Sequence, residues 1–202
     1  MKTASIKVFV GIALLVMAST AVTGQIKFED VTEKAGLIEP LKGMIGHCAA
    51  WGDVNGDGFP DLYYGTFAGW GEGKEPSGGT SPNKLFLNKG DGTFEEVMDS
   101  PVRVIGWNSG AAFADFDNDG DLDLVVSHQA HQGKPYGKVN NFLFENDGKG
   151  KLTDVSKKSG LRFETPFLGR NTFVFDFDAT DCWICLCRKI LYWPKMPVEI
   201  RD

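Results

Sequence analysis

Two short acidic stretches hold the residues most able to do chemistry. The first runs Asp53-Val54-Asn55-Gly56-Asp57-Gly58-Phe59-Pro60-Asp61-Leu62. The second runs Asp115-Phe116-Asp117-Asn118-Asp119-Gly120-Asp121-Leu122-Asp123-Leu124. Positions one, three, five and nine carry side-chain oxygens: Asp53, Asn55, Asp57 and Asp61, then Asp115, Asp117, Asp119 and Asp123. A chain that curls around an ion aims alternate side chains at one centre. Calcium takes about six to eight oxygens from a flexible loop of this kind. Gly58 and Gly120 at position six permit the sharp turn that a β-carbon hinders. Position seven offers a backbone carbonyl, from Phe59 in one loop and Asp121 in the other. Four carboxylates this close repel one another unless a cation lies among them. A solvated Asp/Gly turn would explain one copy; two copies at a fixed spacing favour Ca2+ sites. An EF-hand or a dockerin-type loop needs a ligand at position twelve with helix beside it, and Tyr64 and Val126 stand there in strand-like surroundings.

Elements must position these loops, and the chain repeats its elements. The two loops are offset by 62 residues, and a third start at Asp176-Phe177-Asp178 follows after 61 before the pattern fails. A second landmark, Asn83-Lys84-Leu85-Phe86-Leu87-Asn88-Lys89-Gly90-Asp91-Gly92, returns 58 residues later as Asn141 to Gly150. A third, Phe28-Glu29-Asp30-Val31-Thr32 with Ala35-Gly36-Leu37, returns after 124 residues at Leu152-Thr153-Asp154-Val155-Ser156 with Ser159-Gly160-Leu161. Phe94-Glu95-Glu96-Val97 is a partial middle copy. A period near 60 with glycine-rich turns marks a repeat architecture. Residues 62–66 and 124–127 predict buried strands leaving the loops, and 47–51 and 111–114 predict strands entering them. Residues 84–87, a Gly-Asp-Gly turn and 93–97 predict a hairpin. Three or four strands per repeat fit an all-β, partial β-propeller with about two complete blades plus fragments. Residues 69–82 form a polar Gly/Ser/Pro insertion, and 31–36 predict one helical turn.

Composition agrees with one folded domain. The chain has 202 residues, enough for one core and too few for two large domains, and 12% aromatic content argues against disorder. Its 25 glycines favour many turns. A net charge of −6 without a Lys/Arg cluster excludes a nucleic-acid partner. Lys2 and Lys7 precede an apolar run at 8–21 and small residues at 22–24, the pattern of a signal peptide over 1–24. No Cys follows that run, which disfavours a lipoprotein anchor. Export places the mature chain, without a membrane span, in a compartment where calcium is available: secreted, periplasmic or at the cell surface.

The Asp-x-Asp/Asn-x-Asp-Gly-x-x-Asp-Leu loop followed by a strand resembles the FG-GAP or VCBS-type repeat of integrin α-subunit propellers. The wider pattern is Phe28-Glu29-Asp30-Val31-Thr32 with Ala35-Gly36-Leu37, Ala50-Trp51-Gly52-Asp53, and Asn83-x-Leu85-Phe86-x-Asn88. It resembles the N-terminal part of exported proteins related to cartilage acidic protein, the ASPIC/UnbV group. The resemblance runs from about residue 26 to 178. It implies a β-propeller repeat region over 25–178 and calcium ligation by Asp53, Asn55, Asp57, Asp61, Asp115, Asp117, Asp119 and Asp123.

Other candidates are weaker. His128 and His131 form His-x-x-His without further ligands and predict a solvated or ligand-contacting loop. Trp51, Trp70 and Trp107 could stack on sugars, but aromatic core packing is the better default. Cys48 predicts a buried thiol. Cys182, Cys185 and Cys187 fall short of a four-ligand zinc site. They lie in an atypical tail, 179–202, that breaks the third loop after Asp176 and Asp178. Read one base out of register, the codons there accommodate Asp/Asn-Gly-Leu-Leu-Asp-Leu, of which the genetic code forces Leu-Leu-Asp; this restores positions five, six and nine and points to a frameshift. A natural, divergent tail that uses its cysteines is the alternative. The expected function is adhesion or extracellular recognition of a protein or polysaccharide, without catalysis. The rival is a propeller domain of a polysaccharide-acting enzyme.

Overall fold

The structure, a computed structural model, describes residues 27–68, 81–128, 141–161, 172–176, 183–186 and 190–192. The expected leader, residues 69–80, Trp70, His131, Asp178, Cys182 and Cys187 lie outside the described residues. The chain divides into two compact units. Of residues 1–30, 27–30 are described and hold no strand; residues 31–202 hold every element named below.

Every regular element among the described residues is a strand. The first sheet is an antiparallel meander in the order β1-β2-β3-β4: β1 (Gly46–Gly52), β2 (Asp61–Thr66), β3 (Lys84–Asn88) and β4 (Phe94–Glu96). The second repeats it as β5 (Asn108–Ala114), β6 (Asp123–His128), β7 (Phe142–Glu145) and β8 (Thr153–Asp154). A third sheet holds β9 (Phe173–Asp176), β10 (Trp183–Leu186) and β11 (Ile190–Tyr192), with β10 in the middle. The strands expected around the two loops are present to within a few residues at their ends; β10 and β11 were not anticipated. Among the described residues no helix is long and apolar enough to cross a membrane.

The repeat extends to register. Gly52 pairs with Asp61, and Ala114 pairs with Asp123, so each acidic loop is closed at equivalent positions. In the third sheet Phe175 pairs with Ile184, the same spacing with Ile where the others have Asp. Even an irregularity recurs, between Gly46 and Cys48 and between Asn108 and Gly110. Residues 31–36 form turns, with Ala35 N donating to Val31 O at 2.7 Å, the helical spacing expected there.

Alternation within each strand gives each sheet two apolar faces, and the faces stack. Ala50, Tyr63 and Leu85 of the first sheet meet Leu124, Val126, Phe142 and Phe144 of the second in one core. The opposite face of the second sheet, Val125 and Leu143, packs with Leu161, Val155 and Val174 of β9. Leu62 and Phe86, on the outer face of the first sheet, are covered by Ala35 and Leu37. Fully burying such a side chain contributes about 1.5–3 kcal/mol, so stacking of sheets is the main stabilising contact between repeats. An aromatic pile reinforces it. His47 stacks on Phe67 at 3.8 Å, and Phe67 stacks on Trp107 at 5.2 Å across an isolated bridge between the repeats. Consecutive four-stranded meanders packed face to face are consistent with a partial β-propeller.

Candidate metal loops

Both acidic loops join the first two strands of a sheet, and their own amides shape them. In the first, Asp53 Oδ1 accepts hydrogen bonds from Gly56 N at 2.8 Å and Asp57 N at 3.1 Å. Asp53 Oδ2 accepts from Gly58 N at 2.8 Å, and Asp57 Oδ1 accepts from Phe59 N at 2.9 Å. The second loop repeats this framework. Asp115 accepts from Asp119 N and Gly120 N, each at 3.1 Å, and Asp119 Oδ1 accepts from Asp121 N at 3.1 Å. The turn after position three needs a left-handed residue. Gly56 takes it at φ 72° and Asn118 at φ 60°, a conformation that Asn tolerates better than most side chains.

Position nine behaves differently. Asp61 is buried, and its two oxygens accept from Val54 N and Asn88 N at 2.9 and 2.8 Å. Asp123 does the same for Phe116 N at 3.0 Å and Asn146 N at 2.9 Å. Each carboxylate thus ties the start of its loop to the end of the third strand of its sheet. Asn146 adds a tie between repeats, donating from Nδ2 to Val54 O at 2.7 Å and to Leu122 O at 3.1 Å. Sequence reasoning passed over Asn88 and Asn146, although their recurrence within the 58-residue offset was the available signal.

Among the described residues, the structure gathers Asp115, Asp117 and Asp123 so that one carboxylate oxygen from each lies within 4.8 Å of the others. Two oxygens on one calcium, at about 2.3–2.6 Å from it, stand at most about 5 Å apart, so this spacing fits the ion. Asp119 holds its turn nearby. Asp121 Oδ1 is buried without a hydrogen-bond partner, an oxygen that a cation would satisfy. Burial pushes the Asp123 carboxyl up to about 7, with Asp117 and Asp121 adding to the rise. Burial also raises Asp121 to about 6, helped by Asp119, Asp117 and Asp115. Asp117 and Asp61 are raised for the same leading reason. The charged forms therefore lack compensation that a cation supplies. In the first loop Asp53, Asn55, Asp57 and Asp61 are in place, but Asn55 Nδ2 donates to Asp57 Oδ2 at 2.9 Å. Phe59, at position seven, lays its ring against Gly90.

Two expectations are corrected. His128 is not on a solvated loop: it ends β6 at 2% exposure, near Asn83 and the Phe142 ring edge. Trp51 is not core; it is 58% exposed, because the outer face of the first sheet is only partly covered. Cys48 is largely enclosed as expected, donating to Asn108 Oδ1 at 2.9 Å, and burial pushes its thiol up to about 12.

Comparison with known proteins agrees with this architecture. A model of the FG-GAP-like repeat matches residues 53–126, the span that begins at the first loop and encloses the second. Cartilage acidic protein 1 of Xenopus tropicalis is 32% identical over 99 residues, which is 48% of this chain and 14% of that protein. The two matches support FG-GAP repeats resembling that group, as the motifs implied.

Proposed function

We propose that this FG-GAP repeat protein is an exported calcium-binding β-propeller scaffold for adhesion or extracellular recognition. The observation that carries the reading is the convergence of Asp115, Asp117 and Asp123 in a loop whose framework occurs twice. Asp115, Asp117, Asp119 and Asp123 would hold one ion, with the Asp121 carbonyl. Asp53, Asn55, Asp57 and Asp61 would hold another, with the Phe59 carbonyl. A bound calcium ion supplies positive charge that offsets the repulsion among these carboxylates. The chain's own residues do the rest. Loop amides preset the turns, and Asp61 and Asp123 fasten them to the sheets, so the loops form firm edges at one end of the stacked meanders. Binding surfaces of repeat folds lie on such loop-bearing ends. The partner class is an extracellular protein or polysaccharide, consistent with a leader over 1–24 and with the extracellular setting implied by the group resembled. A non-catalytic role fits carboxylates already engaged by the turns they shape.

Isothermal titration of the chain with calcium tests the reading. Two ions per chain are expected, in the ~10⁻⁴–10⁻³ M range of extracellular modules. An Asp57→Ala, Asp119→Ala double variant should lose them. Binding equal to the parent in that variant would overturn the assignment.

A further inference from the structure

We infer that the two loops are unequal partners for the cation: the second loads first, with the Asp121 carboxylate as an added ligand, while Asn55 holds the first loop closed on itself. This inference rests on the cation-binding reading above. Two substitutions between otherwise equivalent loops carry it.

At position three the first loop has Asn55 and the second Asp117. The Asn55 amide donates to Asp57 Oδ2 at 2.9 Å, which satisfies an oxygen that a cation would need and bridges positions three and five without one. Asp117 has no hydrogen to donate, so nothing bridges the corresponding carboxylates. Loading the first loop requires breaking the amide bond; loading the second relieves repulsion.

Position seven diverges in the same direction. Phe59 places its ring where a β-carbon on Gly90 would come within 2.6 Å of it. Asp121 places its carboxylate over Gly148, the repeat counterpart of Gly90, with Oδ2 2.9 Å from the same point. Its other oxygen, Oδ1, is buried and unpartnered. The second loop thus carries Asp115, Asp117, Asp119, Asp121 and Asp123, against Asp53, Asp57 and Asp61 in the first. Flanking residues widen the gap, since Leu87 and Lys89 of the first repeat become Glu145 and Asp147 in the second. Lys149 and Lys151 lie by Asp147, whose carboxylate accepts their backbone amides and so stays with its turn. Affinity for calcium in such loops follows ligand charge count, which favours the second loop.

Calcium titration of the full chain and of two variants, followed by calorimetry, tests this. The parent should show two classes of site, one ion per class, separated by about tenfold or more in affinity. Asp121→Asn should weaken the tight class by about three- to tenfold and leave the weak class unchanged. Asn55→Asp should strengthen the weak class, a gain that misfolding cannot imitate. Two equal sites in the parent, a tight class unmoved by Asp121→Asn, or a weak class unmoved by Asn55→Asp would each overturn the inference while leaving calcium binding intact. No binding by the parent would overturn the cation reading itself, and the inference with it.

Discussion

Asp61 and Asp123 serve two segments at once, and this sets them apart from the other loop acids. Each carboxylate spends one oxygen on its loop and the other on the strand end beside it. Replacing Asp61 by Ala strands the Val54 and Asn88 amides, and an unsatisfied buried donor costs about 1–3 kcal/mol. The expected loss for Asp61→Ala is therefore about 2–4 kcal/mol in urea denaturation with chelator present. An unchanged midpoint would mean that the residue serves only a cation. His128 gives a pH dependence of defined sign. Burial lowers its pKa from 6.5 to about 4, beside Asn83, the Phe142 ring and Gly106. The unfolded chain takes up the proton more readily than the fold does. The contribution of neutral His128 is complete above pH 6.5 and is lost as the pH falls through that value towards 4. It amounts to roughly 3 kcal/mol at the acid end. His128→Gln should flatten the stability profile between those pH values relative to the parent. Parallel profiles for the two proteins would refute the assignment.

Strand β2 shows how closely the elements approach one another. Gly65 faces Cys48, and a β-carbon there would lie 2.5 Å from Cys48 Sγ and 2.7 Å from Asn108 Cγ. The space is taken by a buried chain in which the Cys48 thiol meets Asn108 and the Asn108 amide meets the Tyr63 hydroxyl. Gly65→Ala must push these groups apart. It should cost about 1–3 kcal/mol, read as a lowered urea midpoint, whereas Gly58→Ala meets no atom within 4 Å and should show only the strain of its φ of 87°. Equal losses in the two variants would disprove the close-packing account. The elements themselves were legible in the sequence, because turns and strands write local signals: Gly90-Asp91-Gly92 between apolar runs, and Leu62 to Thr66 after an acidic loop. The loops were legible for the same reason, since ligand spacing is local. What stayed hidden depends on distant partners. Asn146 reaches Val54 across 92 residues, and nothing beside either residue in the chain announces it. His128 was misplaced because it lies next to Gln129 and His131 in sequence, while in space it ends a strand against Asn83. Asp121 reads as one more acid of the loop, and only the fold shows one of its oxygens enclosed and unpartnered.

At the scale of the whole stack, residues equivalent by repeat are not equivalent by environment. Trp51 and Phe113 stand 62 residues apart at the same place in β1 and β5. Phe113 packs into the core between the first two sheets, where the missing side chain of Gly52 admits it: a β-carbon on Gly52 would lie 2.9 Å from Phe113 Cγ. Trp51 looks the other way along the stack, onto the outer face of the first sheet. Ala35 and Leu37 cover Leu62 and Phe86 on that face, but Trp51 keeps 58% exposure and one edge contact, with the Phe94 ring at 6.0 Å. Sequence periodicity assigns both positions to a buried interface, and packing grants it to one. Truncating Phe113 to Ala removes contacts between sheets and should cost about 3–5 kcal/mol, near the usual value for a buried aromatic. Gly52→Val should lose stability through the same contact from the other side. Trp51→Ser should stay within about 0.5 kcal/mol of the parent, as an exposed substitution does. Urea denaturation of the three variants separates the cases. A loss for Trp51→Ser as large as that for Phe113→Ala would mean that the outer face of the first sheet is covered in solution, and that the stack continues past it.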